Sequence, residues 1–188
     1  MNVMNNEIAE FDNFAMLSNS LSNEYGDDSF IWRGSPFEWI HLQPSRTKGA
    51  IGEKLVEGWC SLKGFEVKKS PHSDADRIIN GHRVEIKYSN LWKDGRSYTF
   101  QQLRDQEYDF YFLLGISPRD VHAWFIPKNE IMSGDFKMGV TYQHAGRRGH
   151  DTRWLRIDAT CPPDWMHEYG GTLSKTVDVI KQMGRGCY

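Results

Sequence analysis

The chain has 188 residues, which suits a single domain, and 39% of them are hydrophobic, enough for a sizeable core. The formal net charge of −2 argues against a strongly basic nucleic-acid-binding protein. However, residues 1–31 carry six acidic and no basic side chains, so the remainder is mildly basic and can still present a positive face.

Three widely spaced cysteines without a Cys-x-x-Cys pair indicate neither a disulfide framework nor a zinc cluster, and they fit a reducing compartment. The longest apolar run, residues 110–116, is too short to span a membrane. The polar N-terminus does not look like a signal peptide. We therefore expect a cytoplasmic protein without a membrane partner.

Helical spacing of apolar residues predicts helices near both ends of the chain, over residues 5–22 and 172–183. Ser35, Pro36 and Glu38 are typical of a helix start. A longer helix is predicted over residues 50–63, ending at Gly64. A short helix is also predicted over residues 98–107.

Strands are predicted where short apolar or alternating runs are bounded by turn residues. They cover residues 65–70, 76–79, 82–88, 109–116, 121–127, 139–143 and 153–159. The second and third form a hairpin, and the run at 109–116 is apolar enough to be a central strand. The fold class predicted is mixed α/β (α+β), with a central mixed β-sheet flanked by helices.

The hairpin places two carboxylates opposite each other. Asn80-Gly81 is a strong signal for a two-residue turn, and this register pairs Asp76 with Glu85 and puts Lys87 on the same face. Like charges in opposed positions cost up to about 1 kcal/mol, and a hard cation would reverse that sign. The two carboxylates and the backbone carbonyl of Ile86 therefore predict a Mg²⁺ site. Lys87 could stabilise charge that develops during phosphodiester hydrolysis.

These residues resemble the PD-(D/E)xK nuclease superfamily, in particular type II restriction endonucleases, over roughly residues 49–131. The resemblance implies a restriction-endonuclease-like core, with Asp76 and Glu85 as the metal-binding pair and Lys87 as the catalytic lysine. It also implies that Glu53, in KGAIGEKLV, is an acidic catalytic residue supplied by the first core helix, with Glu57 as the alternative. Ala75 stands where the family pattern has proline.

Two alternatives for the metal site stay open at this stage. Asp74 has the same strand parity as Asp76 and could be the ligand instead. His72, Asp74, Asp76 and His82 could also form the site of a mononuclear metal hydrolase.

Candidate DNA-binding residues are basic or amide side chains in segments around the hairpin. Arg is the side chain that most often reads guanine, and basic loops also bind phosphates. The candidates are Lys93, Arg96, Gln101, Gln102 and Arg104, with His144, Arg147, Arg148, His150 and Arg153 in a polar loop, and Arg46 and Lys48 before the Glu53 helix.

The function predicted is a Mg²⁺-dependent endodeoxyribonuclease of a restriction system, acting on double-stranded DNA as a homodimer. The whole chain, 1–188, is expected to form one nuclease domain, comprising an N-terminal helical segment (1–45), a catalytic core (46–131) and a C-terminal hairpin and helix for DNA recognition (132–188). A repair or nicking nuclease of the same fold, and a catalytically inactive DNA-binding module, are the alternatives. RNA also stays open as a substrate.

Overall fold

The computed structural model describes residues 13–17, 28–133, 135–143 and 152–184. Eight strands form two sheets, and their bounds are Val67–Lys69 (β1), Arg77–Ile79 (β2), His82–Asn90 (β3), Ser97–Arg104 (β4), Phe110–Ile116 (β5), Val121–Pro127 (β6), Val140–Gln143 (β7) and Thr152–Asp158 (β8). The larger sheet has the order β1-β2-β3-β5-β6 and the smaller one β4-β8-β7. Only the β3–β5 pair is parallel among these strands, so the central sheet is mixed as predicted.

Helices cover one face of the larger sheet and its ends. Their bounds are Glu38–His41 (α1), Ser45–Leu62 (α2), Lys128–Met132 (α3) and Leu173–Met183 (α4), with 3-10 helices at Asp28–Trp32 and Asp164–Tyr169. None of the helices described is long and apolar enough to cross a membrane. Of the predicted first helix, only residues 13–17 lie within the described part, and they are helical.

Strand β5 carries the core because every one of its residues is buried. Its even-numbered residues, such as Phe112 and Leu114, pack with Val56 of α2 and Ile180 of α4. Its odd-numbered residues, such as Tyr111, pack against the smaller sheet. Two-sided burial explains the continuous apolar run that made this strand recognisable in the sequence.

The predicted helix over residues 98–107 is wrong, since this segment is strand β4. Its pairing with β8 is interrupted by a bulge between Phe100 and Leu103, and Gln102 adopts a positive φ of 55°. The bulge shifts the side-chain alternation, so the buried residues Tyr98, Phe100 and Leu103 do not follow a period of two. This broken alternation concealed the strand.

Helix α2 begins five residues earlier than predicted, at Ser45, and ends before Gly64, which has the positive φ of 80° expected at a helix stop. Arg46 and Lys48 therefore lie in its first turns and not in a preceding loop. Along its length the helix crosses β3 at Gly52, where an added Cβ would lie 2.7 Å from the Cβ of Tyr88. This close approach fixes the position of α2 over the strand that carries the candidate site.

We expect Gly52→Ala to destabilise the protein by about 1–2 kcal/mol, because the cost of overpacking against Tyr88 exceeds the gain in helix propensity. Gly58→Ala is the matched control on the same helix, since nothing lies within 4 Å of its added Cβ. That control should gain up to about 1 kcal/mol. Chemical denaturation of both variants measures the difference. Equal or greater stability of Gly52→Ala would contradict the close packing.

Candidate active site

The hairpin between β2 and β3 has the register predicted from the sequence. Asn80 and Gly81 have φ values of 48° and 87°, and the strands pair Ile79 with His82, Ile78 with Arg83 and Arg77 with Val84. The side-chain amide oxygen of Asn80 accepts a hydrogen bond from the backbone N–H of Glu66, which ties the turn to the residue before β1. The next position along the hairpin brings Asp76 beside Glu85.

Asp76 is held in this place by two hydrogen bonds to β3. Its backbone N–H donates to the carbonyl of Val84 at 3.1 Å, and its Oδ2 accepts the backbone N–H of Ile86 at 2.8 Å. Just before β2 begins, the Asp76 side chain thus takes the place of a backbone carbonyl as the acceptor for the Ile86 N–H. The carboxylate is fixed against the strand that carries Glu85 and Lys87.

Glu85 and Lys87 form a largely buried ion pair on the same face of β3. The Lys87 Nζ lies 2.7 Å from Oε1 of Glu85, and the two side chains are 23% and 15% exposed. Burial raises the pKa of Glu85, the Lys87 ammonium lowers it, and the Asp76 carboxylate raises it, with a net upward shift. Burial, the largest of these causes, therefore outweighs the effect of the neighbouring ammonium on the Glu85 pKa.

Glu53 reaches this site from α2, and Arg77 of β2 contacts its carboxylate. The Arg77 guanidinium lies 3.3 Å from Glu53 Oε2 and 2.9 Å from Glu57 Oε2, and it also donates to the carbonyl of Asp76 at 2.8 Å. Burial and the Asp76 carboxylate raise the pKa of Glu53, while Arg77 and Lys87 lower it, with a net upward shift. Arg77 is not among the site residues predicted from the sequence, although its parity, opposite to that of Asp76, points it towards α2.

A cleft of about 760 Å³ runs along β3, beyond the residues of β3 that pair with β2. Its floor is formed by residues 85–93, one wall by His41 and the beginning of α2 up to Glu53, and the other by Thr99, Gln101 and Gln102 of β4. Asp76 lies at the end where the carboxylates meet. All four predicted catalytic side chains, Glu53, Asp76, Glu85 and Lys87, therefore line one cavity.

The backbone carbonyl of Ile86 also faces the cleft side of β3. Asp76 bonds to the backbone of Val84 and Ile86, whereas the N–H of Leu91 bonds across to Ile116, at the end of β5. Because backbone groups alternate in direction along a strand, the even-numbered ones point away from β5. The Ile86 carbonyl accordingly points away from β5.

The described residues contain no group of three or more His, Cys, Asp or Glu side chains arranged to hold a metal ion. The alternative cluster of His72, Asp74, Asp76 and His82 is therefore wrong, and His82 packs against the ring of Phe110 with centroids 4.9 Å apart. Asp74 accepts a hydrogen bond from the hydroxyl of Ser73 at 3.4 Å and is not among the residues that line the cleft.

The predicted DNA-binding residues divide into three groups. Lys93, Gln101 and Gln102 line the cleft, as does Lys48. Arg96, Arg104 and Arg153 do not line it; Arg96 pairs with Asp158, and Arg153 donates to the carbonyls of Ile131 and Ser133. His144, Arg147, Arg148 and His150 lie outside the described residues.

Several cleft residues carried no signal in the sequence. His41, Asn90 and Thr99 come from a short helix, the end of β3 and the misassigned strand β4, so only the tertiary arrangement brings them together. Trp92 adds an aromatic side chain, held by a turn in which the Trp92 N–H donates to the carbonyl of Ser97 at 2.8 Å.

Comparisons with known proteins identify no family: no family model matches the chain, and no curated protein matches it. Among solved structures, the fold is similar to that of a bacterial homing endonuclease, I-Ssp6803I. The TM-score is 0.49 with 16% identity, over 76% of this chain and 95% of that chain. A similarity this distant does not carry a functional argument, which must come from the site itself.

The raised pKa of Glu85 predicts a pH-dependent effect of Glu85→Gln on stability. A carboxyl whose pKa is raised above its ordinary 4.5 by folding keeps its proton to a higher pH in the native state than in the unfolded chain, so the wild type loses stability as pH rises from 4.5 through the raised value. Glutamine mimics the protonated form. The variant should therefore match the wild type below pH 4.5 and exceed it above, by up to about 1 kcal/mol.

Thermal denaturation in metal-free buffer, at a series of pH values below and above 4.5, measures the effect. Glu66→Gln is the matched control, because Glu66 is exposed and pairs with Lys68 outside the cleft. A Glu85→Gln variant that is less stable than the wild type well above pH 4.5 would show that folding does not raise the pKa of Glu85.

Proposed function

We propose that this protein is a Mg²⁺-dependent endonuclease that hydrolyses phosphodiester bonds of double-stranded DNA with the sequence specificity of a type II restriction enzyme. One observation carries the proposal. Asp76 and Glu85 are fixed side by side at the end of a hairpin, with the Lys87 ammonium 2.7 Å from Glu85 in the same cleft.

The residues present fit a hard divalent cation. Asp76, Glu85 and the carbonyl of Ile86 would hold it, since Mg²⁺ prefers oxygen ligands and commonly binds through one or two carboxylates with waters completing its shell. The net upward shift of the Glu85 pKa fits the same view, because a further positive charge would offset burial and the repulsion from Asp76. When bound, the ion supplies polarisation of the phosphate and a lowered pKa for water.

Lys87 supplies the charge that the reaction itself needs. Its ammonium is oriented by Glu85 and faces the cleft, where it can donate a hydrogen bond to the attacking water or to a phosphate oxygen. As the water oxygen bonds to phosphorus and the bond to the leaving oxygen breaks, negative charge grows on the phosphoryl group. A fixed ammonium stabilises that charge more than it stabilises the substrate.

Glu53 is placed to support the same step from the opposite wall. Arg77 limits the freedom of its carboxylate, and the Glu53 pKa responds to both Asp76 and Lys87. We propose that Glu53 orients water at the site. Arg77 would then act as a positioning residue that joins α2 to the hairpin.

Residues 46–131 form the catalytic core in this proposal. Lys93 and Gln101 contact DNA from the cleft, and residues 132–188, including Arg147 and Arg148, contribute to recognition. Two copies related by a two-fold axis would place one site on each strand of a palindrome, because the symmetry of such a dimer matches that of the duplex.

Plasmid digestion tests the function. Wild-type protein with Mg²⁺ should convert supercoiled DNA to discrete linear fragments, and EDTA should prevent the reaction. A nicked circle alone would indicate the nicking or repair alternative. Intact plasmid under all conditions, with DNA binding retained, would indicate an inactive DNA-binding module.

Three substitutions test whether the reaction takes place at the hairpin. Asp76→Asn should abolish cleavage yet spare the fold, because the amide oxygen can still accept the Ile86 N–H. Glu85→Gln should also abolish it. Lys87→Ala should lower turnover by about 10²–10³-fold with DNA binding retained, the loss typical of a group that stabilises transition-state charge. Lys68→Ala, an exposed lysine paired with Glu66, should cleave like the wild type. Wild-type-like cleavage by Glu85→Gln would contradict the assignment.

A further inference from the structure

The bulge in β4 presents two consecutive glutamines to the cleft. The pairing of β4 with β8 shifts between Phe100 and Leu103, where Gln101 and Gln102 lie opposite a single residue of β8. In a regular strand, Gln102 would share the face of Phe100 and point into the core. Instead both glutamines are exposed and line the cleft, while Phe100 and Leu103 are fully buried. The extra residue thus turns the Gln102 side chain from the core to the cleft.

The backbone of Gln102 has a conformation that glutamine rarely adopts. Its φ of 55° lies in the left-handed region, which it shares, among the described residues other than glycine, with Asn80 in the hairpin turn. Asparagine tolerates this region, whereas a longer side chain is strained there. Such strain persists where the surrounding structure fixes the residue, and it is concentrated at functional sites. The position of the Gln102 side chain therefore calls for an explanation other than packing.

Buried contacts fix the bulge on both sides. Phe100 and Leu103 are anchored in the core between the two sheets. Just beyond them, the hydroxyls of Tyr108 and Tyr111 both donate to the carbonyl of Arg104. A backbone held in this way presents its exposed side chains from a rigid element, which lowers the entropy that is lost when they bind a partner.

The bulge lies level with the proposed catalytic residues. On one side of it, the Thr99 N–H donates to the hydroxyl of Ser89 on β3 at 3.0 Å. On the other side, the Arg104 carbonyl accepts the Tyr111 hydroxyl at 2.9 Å, and Tyr111 pairs with Glu85 in the register of β3 and β5. The bulge therefore faces the stretch of β3 between Glu85 and Ser89, which carries the catalytic lysine. A group bound by the bulge would lie close to the scissile phosphate.

The chemistry of a side-chain amide selects one kind of DNA group. Within the described part of the chain, no hydrogen bond engages the amide of Gln101 or Gln102. An amide offers a donor and an acceptor side by side. Phosphate oxygens only accept, as does the minor-groove edge of an A·T pair, so both would leave the amide oxygen unpaired. The major-groove edge of adenine places an acceptor, N7, beside a donor, the N6 amino group, and forms two hydrogen bonds with an amide.

We propose that Gln102 is a specificity-determining residue that reads one adenine of the recognised sequence from the major groove. The inference rests on the proposed function, to which it adds the identity of one base pair. The bulge directs the amide into the cleft, and the anchored strand holds it there. Guanine presents two acceptors at the corresponding edge, so it cannot satisfy both halves of the amide.

A base analogue tests the contact on duplexes that contain the mapped cleavage site. An adenine analogue with a C–H group in place of N7 still pairs with thymine, but it lacks the acceptor that the amide would use. The analogue replaces each adenine in turn. Wild-type binding should weaken about tenfold at one position, because one of the two hydrogen bonds is lost there. Binding is measured with Ca²⁺ in place of Mg²⁺.

Two variants of Gln102 separate base reading from folding. Gln102→Gly removes the amide and suits the positive φ, so its melting temperature should stay level or rise while its binding becomes insensitive to the analogue. Gln102→Glu keeps acceptors and loses the donor, so it should prefer cytosine to adenine at the same position. Gln182→Ala is the matched control, since Gln182 is exposed on α4 and does not line the cleft. It should keep the wild-type response.

The outcomes distinguish the two levels of the proposal. A wild type that cuts no DNA, or cuts it without sequence preference, contradicts the proposed function. A wild type that cuts at a specific site without an A·T pair contradicts the role of Gln102 alone. The same conclusion follows if the wild type and Gln102→Gly respond equally to the analogue at every adenine.

Discussion

The two-residue turn at Asn80-Gly81 is the constraint on which the candidate site depends. Both residues adopt positive φ, and the turn leaves β2 and β3 in one register. A slip of one residue would reverse the faces of every side chain on β2, because the side-chain period of a strand is two. Asp76 would then point to the opposite face of the sheet from Glu85. The hydrogen bond from Ile86 N–H to the Asp76 carboxylate secures the same register at the other end of the hairpin.

Charge in the cleft is arranged so that three carboxylates coexist in a folded protein. Arg77 pairs with Glu53 from the helix side of the hairpin, and Lys87 pairs with Glu85 from the cleft side. Burial is the largest cause of the net upward shifts of the Glu53 and Glu85 pKa values, and the Asp76 carboxylate adds to both. In the proposed function, a cation would bind where the two opposed carboxylates meet.

Local signals predicted the hairpin and the buried strand β5, because a turn dipeptide and a continuous apolar run can each be recognised within a few neighbouring residues. The same approach failed at β4, where the bulge around Gln102 disrupts the alternation that identifies a strand. It also missed Arg77 and Thr99. Their positions at the cleft depend on α2 crossing β3 at Gly52 and on the smaller sheet packing over the larger one, and both contacts are tertiary.

In the proposed function, Asp76 and Glu85 share one divalent cation. Calorimetric titration of Mg²⁺ into DNA-free protein tests it most directly, comparing the wild type with the Asp76→Asn/Glu85→Gln double variant and with Lys87→Ala. We expect saturable binding by the wild type and by Lys87→Ala, and none by the double variant. Binding of Mg²⁺ by the double variant with unchanged affinity would contradict it.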